Sequence, residues 1–212
     1  MAVARSRRRW GWHQLDPTWA ERIVDASGIG PGDLVLDIGA GFGALTGPLV
    51  ASGARVIAVE RHPGRAEALR ERFGDEITLV RTDAADLRLP RRPFHVVANP
   101  PFAVTTAILR RLLHQGSRLQ TAHLVLNVDV ARRWAGPHAP GAGRWQRAVH
   151  PSLGARVPRH AFTPAPPGDC RVLHLERAGS VSDPGRRRAA STGGRPAASA
   201  GGGRARRRRA SG

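Results

Sequence analysis

The pattern of apolar and polar positions divides the middle of the chain into short strands and helices that alternate. Apolar runs predict strands at residues 34–38, 55–59, 77–80, 94–98, 123–128 and 171–176. Helical spacing predicts helices at about 44–51, 63–73 and 103–115, and an earlier helix that begins at Asp16-Pro17. This order indicates an α/β fold with a mostly parallel sheet and right-handed crossovers. Residues 132–168, rich in Arg, Gly and Pro, receive no assignment.

Composition separates two basic ends from this folded middle. Residues 1–9 hold four arginines and no apolar stretch, so they are predicted to be a disordered basic arm. Residues 10–178 are predicted to form one domain, for which 212 residues leave ample length. Residues 179–212, mostly Gly, Ala, Ser, Pro and Arg, are predicted to be a disordered tail.

The charge of the chain favours a polyanionic partner. The formal net charge is +18, and every basic residue is arginine. Nucleic acid phosphate is the usual counterion for such a charge. No membrane partner is predicted, since no long apolar run or leader segment is present, and a cytoplasmic monomer is expected. The single cysteine, Cys170, and the spacing of the histidines predict no metal site.

A glycine-rich turn directly after a buried strand is the first candidate for chemistry. Gly39, Gly41 and Gly43 follow the strand at 34–38 and let backbone N–H groups approach a ligand. Glu60 ends the next strand, where a carboxylate can accept hydrogen bonds from ribose hydroxyls. Asp83, after the strand at 77–80, can accept from an adenine amino group. The turn alone also fits a nicotinamide cofactor, or a purely structural turn.

The second candidate is Asn99-Pro100-Pro101-Phe102, at the end of the strand at 94–98. The Asn99 side-chain oxygen and the Pro100 carbonyl could accept hydrogen bonds from an exocyclic amine and favour a pyramidal nitrogen. Proline suits this position because it offers an acceptor without a donor, on a fixed φ. Phe102 could stack on a planar base and hold it in place. Together with the glycine turn, this predicts methylation of an exocyclic nitrogen.

At these residues the sequence resembles the rRNA adenine N6-methyltransferases, specifically the Erm type. The resemblance covers about residues 10–178 and rests on five segments: 36–43, 59–60, 82–83, 99–102 and 161–166. It implies a Rossmann-like seven-stranded fold that uses S-adenosylmethionine to methylate an adenine of 23S rRNA, giving macrolide–lincosamide–streptogramin resistance. It also implies two sets of site residues. The cofactor would contact Gly39, Gly41, Glu60, Asp83 and Asn99, and the adenine would lie against Asn99, Pro100, Phe102 and Phe162.

Two departures from the family pattern change these expectations. The family begins with Gln-Asn-Phe-Leu against the cofactor, and the corresponding stretch here is residues 12–15. The resemblance therefore puts His13 and Leu15 in cofactor-contacting positions. The family also continues into a small helical RNA-binding domain, which the arginine-rich tail replaces here. RNA recognition is then expected from the arms, the core surface or a ribosomal precursor particle.

Four alternatives remain open from the sequence. The adenine could belong to 16S rRNA, which a sister branch of the family methylates, or to DNA. A protein glutamine amide is a further acceptor for Asn-Pro-Pro-aromatic sites, although the arginine charge favours nucleic acid. A non-catalytic nucleic-acid-binding relative of the fold is the alternative from another class, and the intact glycine, Glu60 and Asn99 positions argue against it.

Overall fold

The structure, a computed structural model, describes residues 13–180. The arm predicted at residues 1–9, and all but the first two residues of the tail predicted at 179–212, lie outside the described range. The strands are β1 (Gln14–Leu15), β2 (Leu34–Ile38), β3 (Arg55–Val59), β4 (Ile77–Val80), β5 (Phe94–Ala98), β6 (Leu119–Asn127), β7 (Val149–Val157), β8 (Phe162–Thr163) and β9 (Cys170–Arg177). The α-helices are α1 (Pro17–Ser27), α2 (Thr46–Ala51), α3 (Pro63–Phe73), α4 (Thr105–Leu112), α5 (Val128–Ala135) and α6 (Ala142–Trp145).

A seven-stranded sheet organises these elements in the order β4-β3-β2-β5-β6-β9-β7. The five strands from β4 to β6 are parallel, and β9 runs antiparallel to both β6 and β7. The chain therefore winds outward from β2 in both directions, which leaves a crevice at the carboxyl ends of β2 and β5. The predicted mostly parallel, Rossmann-like seven-stranded fold is confirmed.

Both faces of the sheet are covered, which explains why its central strands are apolar throughout. All five residues of β2 are buried, as expected for a parallel strand between two helical layers. Leu36 on β2 packs with α4 and with Trp134 of α5 on one face. Val35 packs with α1, α2 and α3 on the other face. No helix between residues 13 and 180 is long and apolar enough to cross a bilayer.

The elements predicted from apolar runs lie where they were expected. Strands β2, β3, β4 and β5 and helix α3 match their predicted bounds. Strand β6 begins four residues before its predicted start at 123, and β9 extends one residue beyond each predicted end. The helix predicted at 103–115 is shorter, because a 3-10 turn at Phe102–Val104 precedes α4.

A short second sheet ties the beginning of the described chain to a segment near its end. Strands β1 and β8 pair antiparallel, with Gln14 opposite Thr163 and Leu15 opposite Phe162. The Asp16 amide continues the ladder by donating to the Ala161 carbonyl over 2.8 Å. Side-chain capping then begins α1, since the Asp16 carboxylate accepts from the Thr18 amide. These contacts bring residues 13–15 and 162–164 to one place.

Candidate active site

The predicted site residues lie at the carboxyl edge of the parallel strands. Gly39 follows β2, Glu60 follows β3, Asp83 lies just beyond β4, and Asn99 follows β5. Because neighbouring parallel strands end at the same edge of a sheet, four sequence segments meet there. The site is thus built from strand ends, which the packed sheet holds in fixed positions.

The glycine turn is shaped by backbone conformations that favour glycine. Gly39, Gly41 and Gly43 have φ angles of 82°, 61° and 86°, in the left-handed region that side chains disfavour. A Cβ at Gly39 would lie 2.8 Å from Cδ of Pro101. The turn after β2 therefore packs directly against the segment after β5, and the two candidate motifs form one site.

Glu60 supports the glycine turn from the neighbouring strand. Its side chain is buried, and Oε2 accepts from the Gly41 amide over 3.0 Å. Oε1 accepts from the His62 amide over 2.7 Å and from the Arg65 guanidinium over 3.0 Å. A carboxylate offers about four lone-pair positions, so these three partners leave room for a further donor such as a ribose hydroxyl.

Asp83 lies at the rim of the site and is held in place by two contacts. Its Oδ1 accepts from the Ala85 amide over 2.9 Å, which caps the 3-10 turn at Ala84–Asp86. Its Oδ2 pairs with the guanidinium of Arg61 at 2.7 Å. The side chain remains partly exposed, so it is accessible to an amino group at the rim.

Asp37 is a site residue that the sequence analysis did not single out. It is the fourth of the five buried residues of β2, is 1% exposed, and accepts from the Thr46 hydroxyl over 2.7 Å. Burial raises the pKa of Asp37 to about 7, with the nearby Glu60 charge acting in the same direction. The sequence could have indicated Asp37, because burying a carboxylate in an apolar strand is unfavourable unless it is hydrogen-bonded.

Asn99 is oriented by a contact across 86 positions of sequence. Its Nδ2 donates to the backbone carbonyl of His13 over 2.8 Å. Since a carbonyl oxygen can only accept, the amide group must face His13, and Oδ1 points away from it. No described residue donates to Oδ1. The side chain therefore offers an acceptor beside the buried Pro100, as methylation of an amine requires.

His13 and Phe102 form a stacked pair next to Asn99. Their ring centroids are 5.5 Å apart and their planes differ by 30°. The His13 Nδ1 lies 2.8 Å from the Pro164 carbonyl, so Nδ1 carries the proton and donates it. Phe102 is half-buried, which leaves part of its ring exposed for a ligand.

Leu15 and Phe162 occupy more interior positions than the other predicted site residues. They are 1% and 4% exposed and belong to the same apolar cluster. Leu15 also forms part of the wall of a small cavity between the glycine turn and Asn99. The Phe162 ring is buried in this structure, so its stacking on a target base stays a prediction.

That cavity has a volume of about 20 Å³ and is lined by residues of both motifs, among them His13, Asp37, Gly39, Phe42 and Asn99. Phe42, in the glycine turn, is 42% exposed. The larger grooves lie beside α4 and around α1 and α2, whereas the two candidate motifs meet at this small cavity. Within residues 13–180, no cluster of His, Cys, Asp or Glu could hold a metal ion.

The chain has the fold of an S-adenosylmethionine-dependent methyltransferase. The glycine turn leaves no side chain at Gly39, where a Cβ would clash with Pro101, and the amides of Gly39, Gly41 and Gly43 donate within the protein. The carboxylates of Glu60 and Asp83 suit ribose hydroxyls and an adenine amino group. These residues therefore fit a nucleoside cofactor, next to an acceptor for an amine.

Comparison with known proteins defines the family. Residues 4–183 match the family described as ribosomal RNA adenine dimethylase, and the chain belongs to that family. It is 35% identical over 209 residues to ribosomal RNA small subunit methyltransferase A of Anaeromyxobacter dehalogenans (strain 2CP-C), covering 87% of this chain and 73% of the relative. The protein is accordingly an enzyme that methylates adenine in rRNA with S-adenosylmethionine.

Two further similar proteins are named for antibiotic resistance or for 23S rRNA. The chain is 39% identical over 148 residues to the mycinamicin-resistance protein MyrB of Micromonospora griseorubida, covering 68% of this chain and 46% of MyrB. The crystal structure of the 23S rRNA methyltransferase ErmE superposes with a TM-score of 0.68 and 28% identity, over 78% of this chain and 69% of that one.

Proposed function

We propose that this protein methylates N6 of an adenine in 23S rRNA and thereby confers resistance to macrolides, lincosamides and streptogramins. The observation that carries the chemistry is the Asn99 carboxamide, whose Nδ2 is held by the His13 carbonyl and whose Oδ1 points away from it. The similarity to MyrB and ErmE supports 23S rRNA as the substrate. We further propose that the catalytic unit is residues 10–178, acting as a cytoplasmic monomer.

Each residue of the site then has a separate role in the reaction. S-adenosylmethionine, when bound, supplies a methyl group made electrophilic by its sulfonium. Asn99 Oδ1 and the Pro100 carbonyl accept the two amine hydrogens and direct the nitrogen lone pair toward that methyl group. Phe102 stacks on one face of the adenine, which must be unpaired or extruded to enter. Phe162 stacks on the other face after its ring turns out of the apolar cluster in which it is buried. No general base is needed, because the methylated nitrogen readily loses its proton to solvent.

An arginine-lined groove supports nucleic acid as the substrate. The groove has a volume of about 900 Å³ and includes Arg91, Arg110, Arg111 and Arg118 in its lining, with His114 between them. Arg111 also donates to the Ala85 carbonyl, which connects the groove to the loop that follows Asp83. Arginines along one groove match the spaced charges of an RNA backbone.

Methylation of 16S rRNA is the second candidate. It is favoured by the similarity to the small subunit methyltransferase A, which covers more of this chain than the similarity to MyrB does. The two candidates share the chemistry and differ in the RNA that delivers the adenine. Expression of the chain in a macrolide-sensitive bacterium separates them.

Resistance to a macrolide, a lincosamide and a streptogramin B supports the 23S assignment, provided that the matched Asn99→Ala strain stays sensitive. Unchanged sensitivity, in a strain where the protein is soluble and adds methyl groups to 16S rRNA, contradicts it. Measuring both RNAs in the same cells distinguishes a different substrate from an inactive protein.

A further inference from the structure

One residue at the site, His13, contacts Asn99, Phe102 and the segment that follows Phe162. Its backbone carbonyl accepts from Nδ2 of Asn99 over 2.8 Å. Its imidazole stacks on Phe102, and its Nδ1 donates to the Pro164 carbonyl over 2.8 Å. Pro164 lies two residues beyond Phe162, so His13 connects the segments on both sides of the proposed base position.

These contacts have separate physical consequences. The carbonyl of His13 fixes which end of the Asn99 carboxamide faces the amine. The imidazole supports one face of the half-buried Phe102 through an aromatic contact. The Nδ1 hydrogen bond attaches residue 13 to the 162–164 segment, just beyond the two-residue ladder of β1 and β8.

We propose that His13 is a positioning residue for the target adenine, rather than a cofactor-binding residue as the resemblance implies. Its side chain locks residue 13 between Phe102 and Pro164, and its carbonyl then presents Asn99 in the orientation that accepts the amine. This inference rests on the proposed function for the identity of the base. The orientation of Asn99 can be measured without any RNA.

Three substitutions separate the two contacts of the imidazole, its stacking on Phe102 and its hydrogen bond to Pro164. His13→Phe keeps a ring for stacking on Phe102 but removes the donor to Pro164. His13→Asn keeps a donor near the position of Nδ1 but removes the ring. His13→Ala removes both. His150→Ala is the matched control, because His150 is exposed on β7 and lines no part of the site.

The first measurement is the side-chain amide resonance of Asn99 in protein labelled with 15N-asparagine. The chain contains only two asparagines, Asn99 and Asn127. Asn127→Asp assigns the spectrum with little loss of stability, because the Asn127 side chain caps α5 and aspartate caps equally well. We expect His13→Ala to shift or broaden the Asn99 amide signal, and His150→Ala to leave it unchanged.

The second measurement compares kinetics with cofactor affinity. We expect His13→Ala to lower kcat for rRNA at least about tenfold, since misplacing reacting groups by small distances has effects of this size or larger. His13→Phe and His13→Asn should each restore part of that loss. The Kd for S-adenosylmethionine should stay within about threefold, a change below about 1 kcal/mol, because the proposed cofactor contacts of Gly39, Glu60 and Asp83 are unchanged.

An unchanged Asn99 signal together with full kcat in His13→Ala overturns the proposal. So does a loss of cofactor affinity that accounts for the whole loss of turnover, which identifies His13 as a cofactor contact instead. If the unsubstituted protein transfers no methyl group to any rRNA, the proposed function fails. The amide resonance then decides the role of His13 by itself.

Discussion

At the scale of single residues, the proposed chemistry depends on which side-chain atoms of Asn99 are already hydrogen-bonded within the protein. Its Nδ2 is held by the His13 carbonyl, and its Oδ1 offers the acceptor. We expect Asn99→Ala to lower methyl transfer at least about 100-fold, as removal of a catalytic hydrogen-bond partner does in other enzymes. Cofactor binding, measured by calorimetry, should be partly retained. Asn127→Asp is the control, and full turnover by Asn99→Ala would contradict the assigned role.

The buried carboxyl of Asp37 predicts a specific dependence of stability on pH. Its folded-state pKa of about 7 lies above the ordinary value of 3.8, because burial disfavours the charged form. The folded state therefore holds this proton more tightly than the unfolded chain does. The stability that Asp37 contributes is complete below about pH 4 and is lost as the pH rises through 7.

Chemical denaturation of the protein and of Asp37→Asn across this pH range tests that dependence. The free energy of unfolding of the protein should fall relative to that of Asp37→Asn, with a limiting slope of about 1.4 kcal/mol per pH unit. The neutral Asn side chain can still accept from Thr46, so the comparison isolates the proton. Equal slopes in the two proteins would show that Asp37 titrates normally.

The placement of site residues could be predicted from sequence where it follows from position at a strand end. Glu60, Asp83 and Asn99 each follow an apolar run, so their meeting at one edge of the sheet follows from the parallel fold. The contacts of His13 could not be predicted in this way. Its partner Pro164 is 151 positions away, and only the pairing of β1 with β8 brings them together.

At the scale of elements, the close packing of two turns is the central feature. Gly39 and Gly32 both have positive φ angles, of 82° and 84°, but only a Cβ at Gly39 meets a neighbour within 4 Å. Substitution of either glycine by alanine should cost about 1–2 kcal/mol for the left-handed backbone. Gly39→Ala should cost more, because Pro101 must move away.

Both variants strain the backbone, but only Gly39→Ala must also displace Pro101. Comparing them therefore separates the two effects. We expect Gly39→Ala to weaken S-adenosylmethionine binding at least about tenfold, a change of 1.4 kcal/mol, while Gly32→Ala binds the cofactor normally. Calorimetry with thermal unfolding as the stability measure checks both. Equal cofactor affinity in the two variants would mean that the turn does not depend on its contact with Pro101.

Strand β7 could not be predicted from the sequence for a physical reason. Strand β7 lies at the edge of the sheet, where only one side is paired and most of its residues are partly or fully exposed. It contains Pro151 and Gly154, which an edge strand tolerates, and a register shift follows Leu153. Its sequence therefore lacks the apolar run that marks β2 or β5, and residues 132–168 gave no assignment.

At the scale of the whole molecule, charge is distributed so that one groove can follow a nucleic acid backbone. Arg91 and Arg118 lie in the groove beside α4. We expect the double substitution Arg91→Gln and Arg118→Gln to reduce the slope of log K against log salt by about one unit for each phosphate that is no longer neutralised. Arg70→Gln is the control, because Arg70 lies on α3, on the other face of the sheet, and pairs with Glu67.

Filter binding of rRNA fragments over a series of salt concentrations measures this slope. The substitutions should weaken the binding of all RNA sequences to a similar extent, since phosphate contacts carry no base information. A slope equal to that of Arg70→Gln would exclude the groove as a major RNA-binding surface.

The central claim is that this chain transfers a methyl group from S-adenosylmethionine to one adenine of 23S rRNA. The most direct test is transfer of labelled methyl from the cofactor to unmodified 23S rRNA, compared with 16S rRNA, duplex DNA and no acceptor. The account predicts label on 23S rRNA alone, recovered as N6-methylated adenine at one position and absent with Asn99→Ala. Label on 16S rRNA or DNA instead, or no label on any acceptor despite cofactor binding, would contradict it.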